Sequence, residues 1–328
     1  MWPRWAAIGA VCLLALWSCV GCTGAPPTGR HDAAPAPGDT AWAQPGSVSP
    51  ASGAPSTQPA SGTRATGDSA PTAARPATAA PRSSPGAPSR ALPAVTLPGV
   101  NDPSCRSPDP PVVLLHGSFS TVASNFSTLV PALRESGRCV YGLNYGRRGV
   151  DGVAGSARAA ARLIGTVLAL TGAPRADVVG YSQGGLVLRA ALRLDGQAAR
   201  VRVAVLLAPS FHGTTSPLAA AVPPALCPAC ADQAAGSALL RRLDAGGDLD
   251  GSVRYAVVST SDDTVVTPVA SQIPRGPASR VRSVTVQQVC PKAHLDHIAL
   301  PHDPGVVHWV VAALADAGRP PEGALTCG

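Results

Sequence analysis

The stretch Ala176–Leu188, ADVVGYSQGGLVL, constrains this chain more than any other. Asp177, Val178 and Val179 read as the end of a buried strand. Gly180, Tyr181, Ser182, Gln183 and Gly184 spell G-x-S-x-G. Apolar residues at Leu186, Leu188, Ala191, Leu192 and Leu194 then follow in a helical segment. A strand-to-helix turn this sharp leaves no room for neighbouring side chains, so its flanks want glycine. It lifts the Ser182 hydroxyl beyond the end of the sheet. It also aims the first N–H groups of the helix at whatever that hydroxyl attacks. A bare G-x-S-x-G also occurs by chance in ordinary strand–helix turns, so its meaning rests on partners elsewhere in the chain.

A serine that attacks an acyl group needs a base for its proton, an acid to steady that base, fixed donors for the oxyanion and a dry pocket. One established order of these groups along a chain is serine, acid, histidine. Here Ser182 is followed by Asp262 and Asp263, just after the strand Val253–Ser259, and then by His294, His297 and His302 after a last strand read as Val281–Val289. Asp263 heads D-x-V-V-x-P, whose apolar residues and proline fix the loop; it is the preferred acid, with Asp262 as a solvated neighbour. His297 precedes Ile298-Ala299-Leu300, a segment that can pack and hold the ring; it is the preferred base. His294 is assigned to the loop surface and His302 to a structural or surface position near the final helix. His212 comes before any acid of the right type and reads as a loop or pocket-wall residue. The apolar run Val112–Leu115 ends in His116-Gly117-Ser118, where a second oxyanion donor belongs. The Ser118 N–H is the candidate, with its hydroxyl as a further donor.

Around these residues, strands alternate with helices read at Asn125–Ser136, Gly155–Leu170, Asp232–Leu243 and Pro304–Ala315. That alternation implies a mostly parallel sheet covered on both faces. The Asp232–Leu243 helix is placed to cover the cleft. Composition sets the boundaries. Residues 23–100 are almost all Ala, Pro, Ser, Thr and Gly, which bury too little surface to offset ordering, so they read as a disordered linker. Residues 101–328 suit one α/β domain. Residues 1–22, with Arg4 before a short apolar run, have the shape of a secretory signal. Val20-Gly21-Cys22 looks like the end of a lipobox, making Cys22 a candidate for lipidation and membrane anchoring; cleavage nearby and free secretion is the alternative. Six further cysteines suit three disulfides in an oxidising compartment. Cys227-Pro228-Ala229-Cys230 could be a redox pair or half a zinc site; no second pair at zinc spacing follows, which favours a small structural disulfide. The net charge of +7 is carried by arginine, with Lys292 the only lysine, and no basic run interleaves with aromatics. Nucleic-acid binding is therefore unsupported.

Residues 102–328 resemble the secreted lipases and esterases of the α/β-hydrolase superfamily, in particular the actinobacterial class 2 lipases and the Candida lipase B type. The resemblance rests on VVLLHGS, VVGYSQGGLVLRAAL, LLAPSFHGTT, DQAAGSALLRRL, DDTVVTP, VQQVC and LDHIAL. The Ser-Gln-Gly-Gly form followed by Ala-Pro-x-x-x-Gly-Thr is its more specific part. The resemblance implies the α/β-hydrolase fold, with Ser182 as nucleophile, Asp263 as acid, His297 as base and the N–H groups of Ser118 and Gln183 as oxyanion donors. It implies disulfides Cys105–Cys139 and Cys290–Cys327, leaving Cys227 and Cys230 to each other. The chain departs from Candida lipase B at the linker, at Cys22 and at the Cys227–Cys230 loop. The activity implied is hydrolysis of lipid or other hydrophobic esters, secreted or envelope-anchored, by a monomer with no metal or organic cofactor. Acyl transfer to an envelope alcohol, or a non-catalytic envelope lipoprotein of the same fold, are the competing expectations.

Overall fold

A computed structural model describes residues 91–327. The signal segment, Cys22 and the linker up to residue 90 lie outside the described residues. Six strands form one parallel sheet: β1 Val112–Leu115, β2 Val140–Gly142, β3 Ala176–Tyr181, β4 Val201–Leu207, β5 Arg254–Ser259 and β6 Val281–Thr285. Their order is β2-β1-β3-β4-β5-β6. The chain starts inside the sheet, steps outward to β2, then returns to the other side of β1. The strand order therefore reverses between β1 and β3, and a crevice opens there at the carboxyl ends of the strands, where ligands bind in open α/β sheets.

The strands are apolar throughout because both faces are covered. Alternation still divides them. Val112, Leu114, Val203 and Val205 join one core, Val113, Leu115, Ala204 and Leu206 the other. Helices α1 Val122–Phe126 and α2 Leu129–Glu135 cover the first core, with α10 Pro304–Ala315. The irregular turn α3 Gly146–Gly149, the long α4 Val153–Thr171 and α5 Gln183–Leu194, which Ser182 precedes, lie over the second. Three short helices follow β4, α6 Pro217–Ala220, α7 Pro228–Gln233 and α8 Ala238–Asp244, and α9 Val286–Val289 follows β6.

Three elements differ from the sequence reading. The helix expected over Asn125–Ser136 is two. Thr121 caps α1, Asn125 turns inward, and the helix restarts at Leu129, which leaves Pro131 in a first turn, where its missing N–H costs nothing. The helix expected over Asp232–Leu243 breaks after Gln233. There the chain exchanges backbone bonds with Thr214, whose N–H donates to Gln233 O (2.8 Å) and whose C=O accepts from Ala235 (3.0 Å); Ser237 then caps α8. The last strand stops at Thr285, which forms a reciprocal capping box with Gln288 and turns the chain into α9.

Residues 91–100, read as the end of the linker, pack on the domain. Leu92, Val95 and Leu97 lie against the cores, and Val100 is buried beside Val140. The cause is compositional: these four residues supply the large apolar side chains that the preceding Pro/Ser/Thr run lacks. The disulfides Cys105–Cys139, Cys227–Cys230 and Cys290–Cys327 are all formed.

Candidate active site

Ser182 sits between β3 and α5 with φ 53° and ψ −120°, a conformation that L-residues rarely adopt. Neighbours hold it there: its N–H donates to Leu207 O (2.9 Å), and its C=O accepts from Gly185 (3.0 Å) and Ser210 (3.1 Å). The flanking glycines are demanded by contact. A Cβ on Gly184 would lie 2.0 Å from Leu115 O, and one on Gly185 2.4 Å from Pro209 Cβ.

The turn after β5 and the loop after α9 bring the other two residues to this point. His297 Nε2 is 3.0 Å from Ser182 Oγ, and His297 Nδ1 is 2.8 Å from Asp263 Oδ2. All three residues are buried. An ionised carboxylate only accepts, so Nδ1 carries the imidazole proton and Nε2 presents its lone pair to the hydroxyl. Asp263 Oδ1 accepts the N–H groups of Val265 and Val266, each at 2.8 Å, and Oδ2 accepts from Gln272 Nε2 at 2.9 Å. The Tyr181 phenol donates to His297 O (2.9 Å) and ties the histidine loop to β3. Burial, helped by the charges of Asp263 and Asp296, pushes that phenol well up, so it stays a donor.

The loop after β1 is equally fixed. His116 Nδ1–H donates to Gly117 O (2.8 Å), and Nε2 accepts from the Tyr145 N–H (3.2 Å). The two rings stack with centroids 4.0 Å apart, and the Tyr145 hydroxyl donates to His116 O. Burial is the main reason that the His116 pKa is lowered to about 4, so the ring is neutral. Gly117 N–H donates to Asn125 Oδ1 (2.9 Å). Ser118 follows, its hydroxyl accepting from Gln233 Nε2 (3.0 Å), while Gln233 Oε1 accepts from Ser210 (2.9 Å). Gln183 is the first residue of α5, so its N–H has no partner within the helix. Its side chain turns away and donates to Gly149 O (2.9 Å).

Ser182 and His297 open on a cleft of about 200 Å³ whose walls include Phe119, Leu218, Val222, Val265, Val266 and Ile298. Ser118, Thr214 and Gln233 form its polar side. A larger hollow, about 500 Å³, lies between residues 105–111 and 171–175, at the opposite ends of β1 and β3, remote from Ser182.

The competing residues lie elsewhere. The His294 side chain is 98% exposed. His302 is half-buried in the short turn before α10. Asp262 is half-exposed, but its Oδ2 accepts the Leu295 N–H (3.2 Å) and so braces the histidine loop. His212 bonds Ser271 O and Asp248, each at 3.0 Å, and does not line the cleft. Its neighbours Asp244 and Asp248 pair with buried Arg189 at 2.8 and 3.3 Å, so a guanidinium already occupies the position a cation would take. Sequence reasoning missed Gln272, Gln233, Tyr181 and Asn125. Tyr181 stands at an unrestricted position of G-x-S-x-G and the others in no such motif, so each role is defined only by the loops that meet in space.

Residues 109–299 match the lipase (class 2) family. The fold is similar to that of lipase B from Aspergillus fumigatus, with a TM-score of 0.60 at 20% identity, covering 70% of this chain and 57% of that one. The chain thus spans little more than half the length of the Aspergillus enzyme. A lipase from Bacillus licheniformis in its mature form aligns with a TM-score of 0.47 at 14% identity, over 60% of this chain and 88% of that one. No curated protein matches the sequence. The structural likeness, at these identities, is one of fold: the α/β-hydrolase fold.

Proposed function

Because the chain belongs to the class 2 lipase family, we propose that it is a serine carboxylic-ester hydrolase acting on lipid or other hydrophobic esters through an acyl-enzyme on Ser182. Ser182 Oγ attacks the ester carbonyl while His297 Nε2 takes its proton. Asp263 stabilises the imidazolium that results. The oxyanion is received by the N–H groups of Ser118 and Gln183. On collapse of the tetrahedral intermediate, His297 returns the proton to the leaving alcohol. It then deprotonates a water, which attacks the acyl carbonyl and releases the carboxylic acid and free Ser182.

The observation that carries this reading is the continuous chain Ser182 Oγ, His297, Asp263, at 3.0 and 2.8 Å, at the mouth of an apolar cleft. The cleft walls suit the acyl or alcohol part of a hydrophobic ester and exclude water from the reacting atoms. The three disulfides suit an extracytoplasmic enzyme; anchoring through Cys22 belongs to the same proposal. Hydrolysis of short- and long-chain nitrophenyl esters tests the activity. Ser182→Ala is expected to lower kcat by on the order of 10⁴ or more and to abolish labelling by an active-site phosphonate. Equal rates for the variant and the wild type would overturn the reading.

A further inference from the structure

Gln272 ends the short helical turn Val269–Gln272 and is completely buried. Its Nε2 lies 2.9 Å from Asp263 Oδ2 and 2.9 Å from Val266 O. Both partners are acceptors. A flipped amide would set Oε1 against a carboxylate and a carbonyl, so the nitrogen must face them. In that orientation Oε1 is buried without a partner. Buried polar atoms are nearly always bonded, so an orphan of this kind calls for a compensating role.

We infer that Gln272 is a positioning residue that orients Asp263 and sets how strongly it pulls on His297, an inference that rests on the catalytic reading of Ser182, His297 and Asp263. The carboxylate has four acceptor sites, and four donors meet it: Val265 N–H and Val266 N–H on Oδ1, His297 Nδ1–H and Gln272 Nε2 on Oδ2. Rotation about the Cβ–Cγ bond would break all four. Among the described residues, Gln272 is the one side chain other than the base that grips the oxygen facing the base. It also holds Val266, a cleft-wall residue, through its carbonyl. The amide draws negative charge from Oδ2. Without it, the oxygen would hold the imidazolium more tightly. The other ionisable groups around the pair are Tyr181 on β3, Asp262 on the β5 turn, and His294 and Asp296 on the loop of His297; among the described residues none of them bonds to the Asp263 carboxylate.

The test uses the full chain, with nitrophenyl-ester kinetics across pH, phosphonate labelling and thermal melts for Gln272→Met, Gln272→Glu and Ser182→Ala. Gln272→Met is expected to lower kcat roughly 10-fold or more, with KM nearly unchanged. It should also move the acid limb of the kcat/KM profile up by about half a pH unit. In Gln272→Glu, a protonated carboxyl can still donate to Oδ2, so its rate relative to Gln272→Met should rise as pH falls. This variant keeps the size of glutamine and carries the test if the methionine variant does not fold. Wild-type kcat with an unmoved acid limb overturns the inference. So does a loss of kcat that only follows the melting temperature, with no change in pH profile. Inactive Ser182→Ala beside an unaffected Gln272→Met removes only this inference; active Ser182→Ala removes the catalytic reading itself.

Discussion

His116 holds the loop after β1 in place through a single protonation state. Its Nδ1 faces an acceptor, Gly117 O, and its Nε2 faces a donor, the Tyr145 N–H. A second proton would have to enter between Nε2 and that N–H. Burial already disfavours the charge and brings the folded-state pKa to about 4, against about 6.5 for a free imidazole. The unfolded chain therefore binds a proton here before the folded chain does, and stability falls as pH drops from about 6.5 towards 4. The full window corresponds to about 3 kcal/mol. His116→Gln keeps a neutral amide at the site and should flatten this part of the profile. Denaturant unfolding at pH 7 and pH 4.5 measures both proteins; parallel losses would mean that His116 is not the titrating group. At this scale, the sequence disclosed the groups whose order and residue type are restricted: Ser182 between glycines, an aspartate after a strand, a histidine after the last one. Gln272 and Gln233 had no such signature, because glutamine is common and their partners come from distant loops. His212, read as a loop or pocket-wall residue, lies in the loop after β4 and outside the cleft wall, and its partner Asp248 is likewise set by chain folding alone.

The elbow between β3 and α5 works only if the start of α5 touches the end of β1. The Gly184 contact with Leu115 O makes that approach possible. In Gly184→Ala the new methyl would meet backbone, which cannot swing aside as a side chain can. Either α5 moves outward or β1 does. We expect a loss of roughly 3 kcal/mol in stability and a greater loss in phosphonate labelling, because Ser182 and the Gln183 N–H move with α5 while Ser118 stays with β1. Labelling at the wild-type rate in a protein that melts normally would show that the contact is not needed. The strands were legible because buried parallel strands must be apolar runs. Helix boundaries were less so. The break after Gln233 arises from Thr214, nineteen residues upstream, and no local propensity encodes it. The end of β6 was readable in principle, since Thr285 and Gln288 have the spacing of a capping box, but the β-branched run Val281–Val289 masked it.

Over the whole molecule, the two long-range disulfides lie at opposite edges of the sheet. Cys139 immediately precedes β2, one edge strand, and Cys290 closes the α9 turn after β6, the other. Edge strands have a neighbour on one side only and are the first to fray. Each bond ties an edge to a flanking segment, with the paired cysteines 34 and 37 residues apart. Closing loops of this length in the unfolded chain is worth about 3–4 kcal/mol each. Cys227 and Cys230 are 3 residues apart, so their bond removes much less chain entropy. Cys230 instead lines the cleft at the start of the helix that carries Gln233. The disulfides should therefore separate by function. Cys290→Ala with Cys327→Ala should lower the melting temperature by on the order of 10 °C and leave kcat of the folded enzyme close to wild type. Cys227→Ala with Cys230→Ala should melt within a few degrees of wild type but change kcat/KM for the same ester, because α7 loses the clamp that sets Gln233 against Ser118. Calorimetry alongside ester kinetics reads both effects. If the short bond proved the more stabilising, or its loss left the kinetics untouched, the division between edge staples and a cleft-shaping bond would not hold.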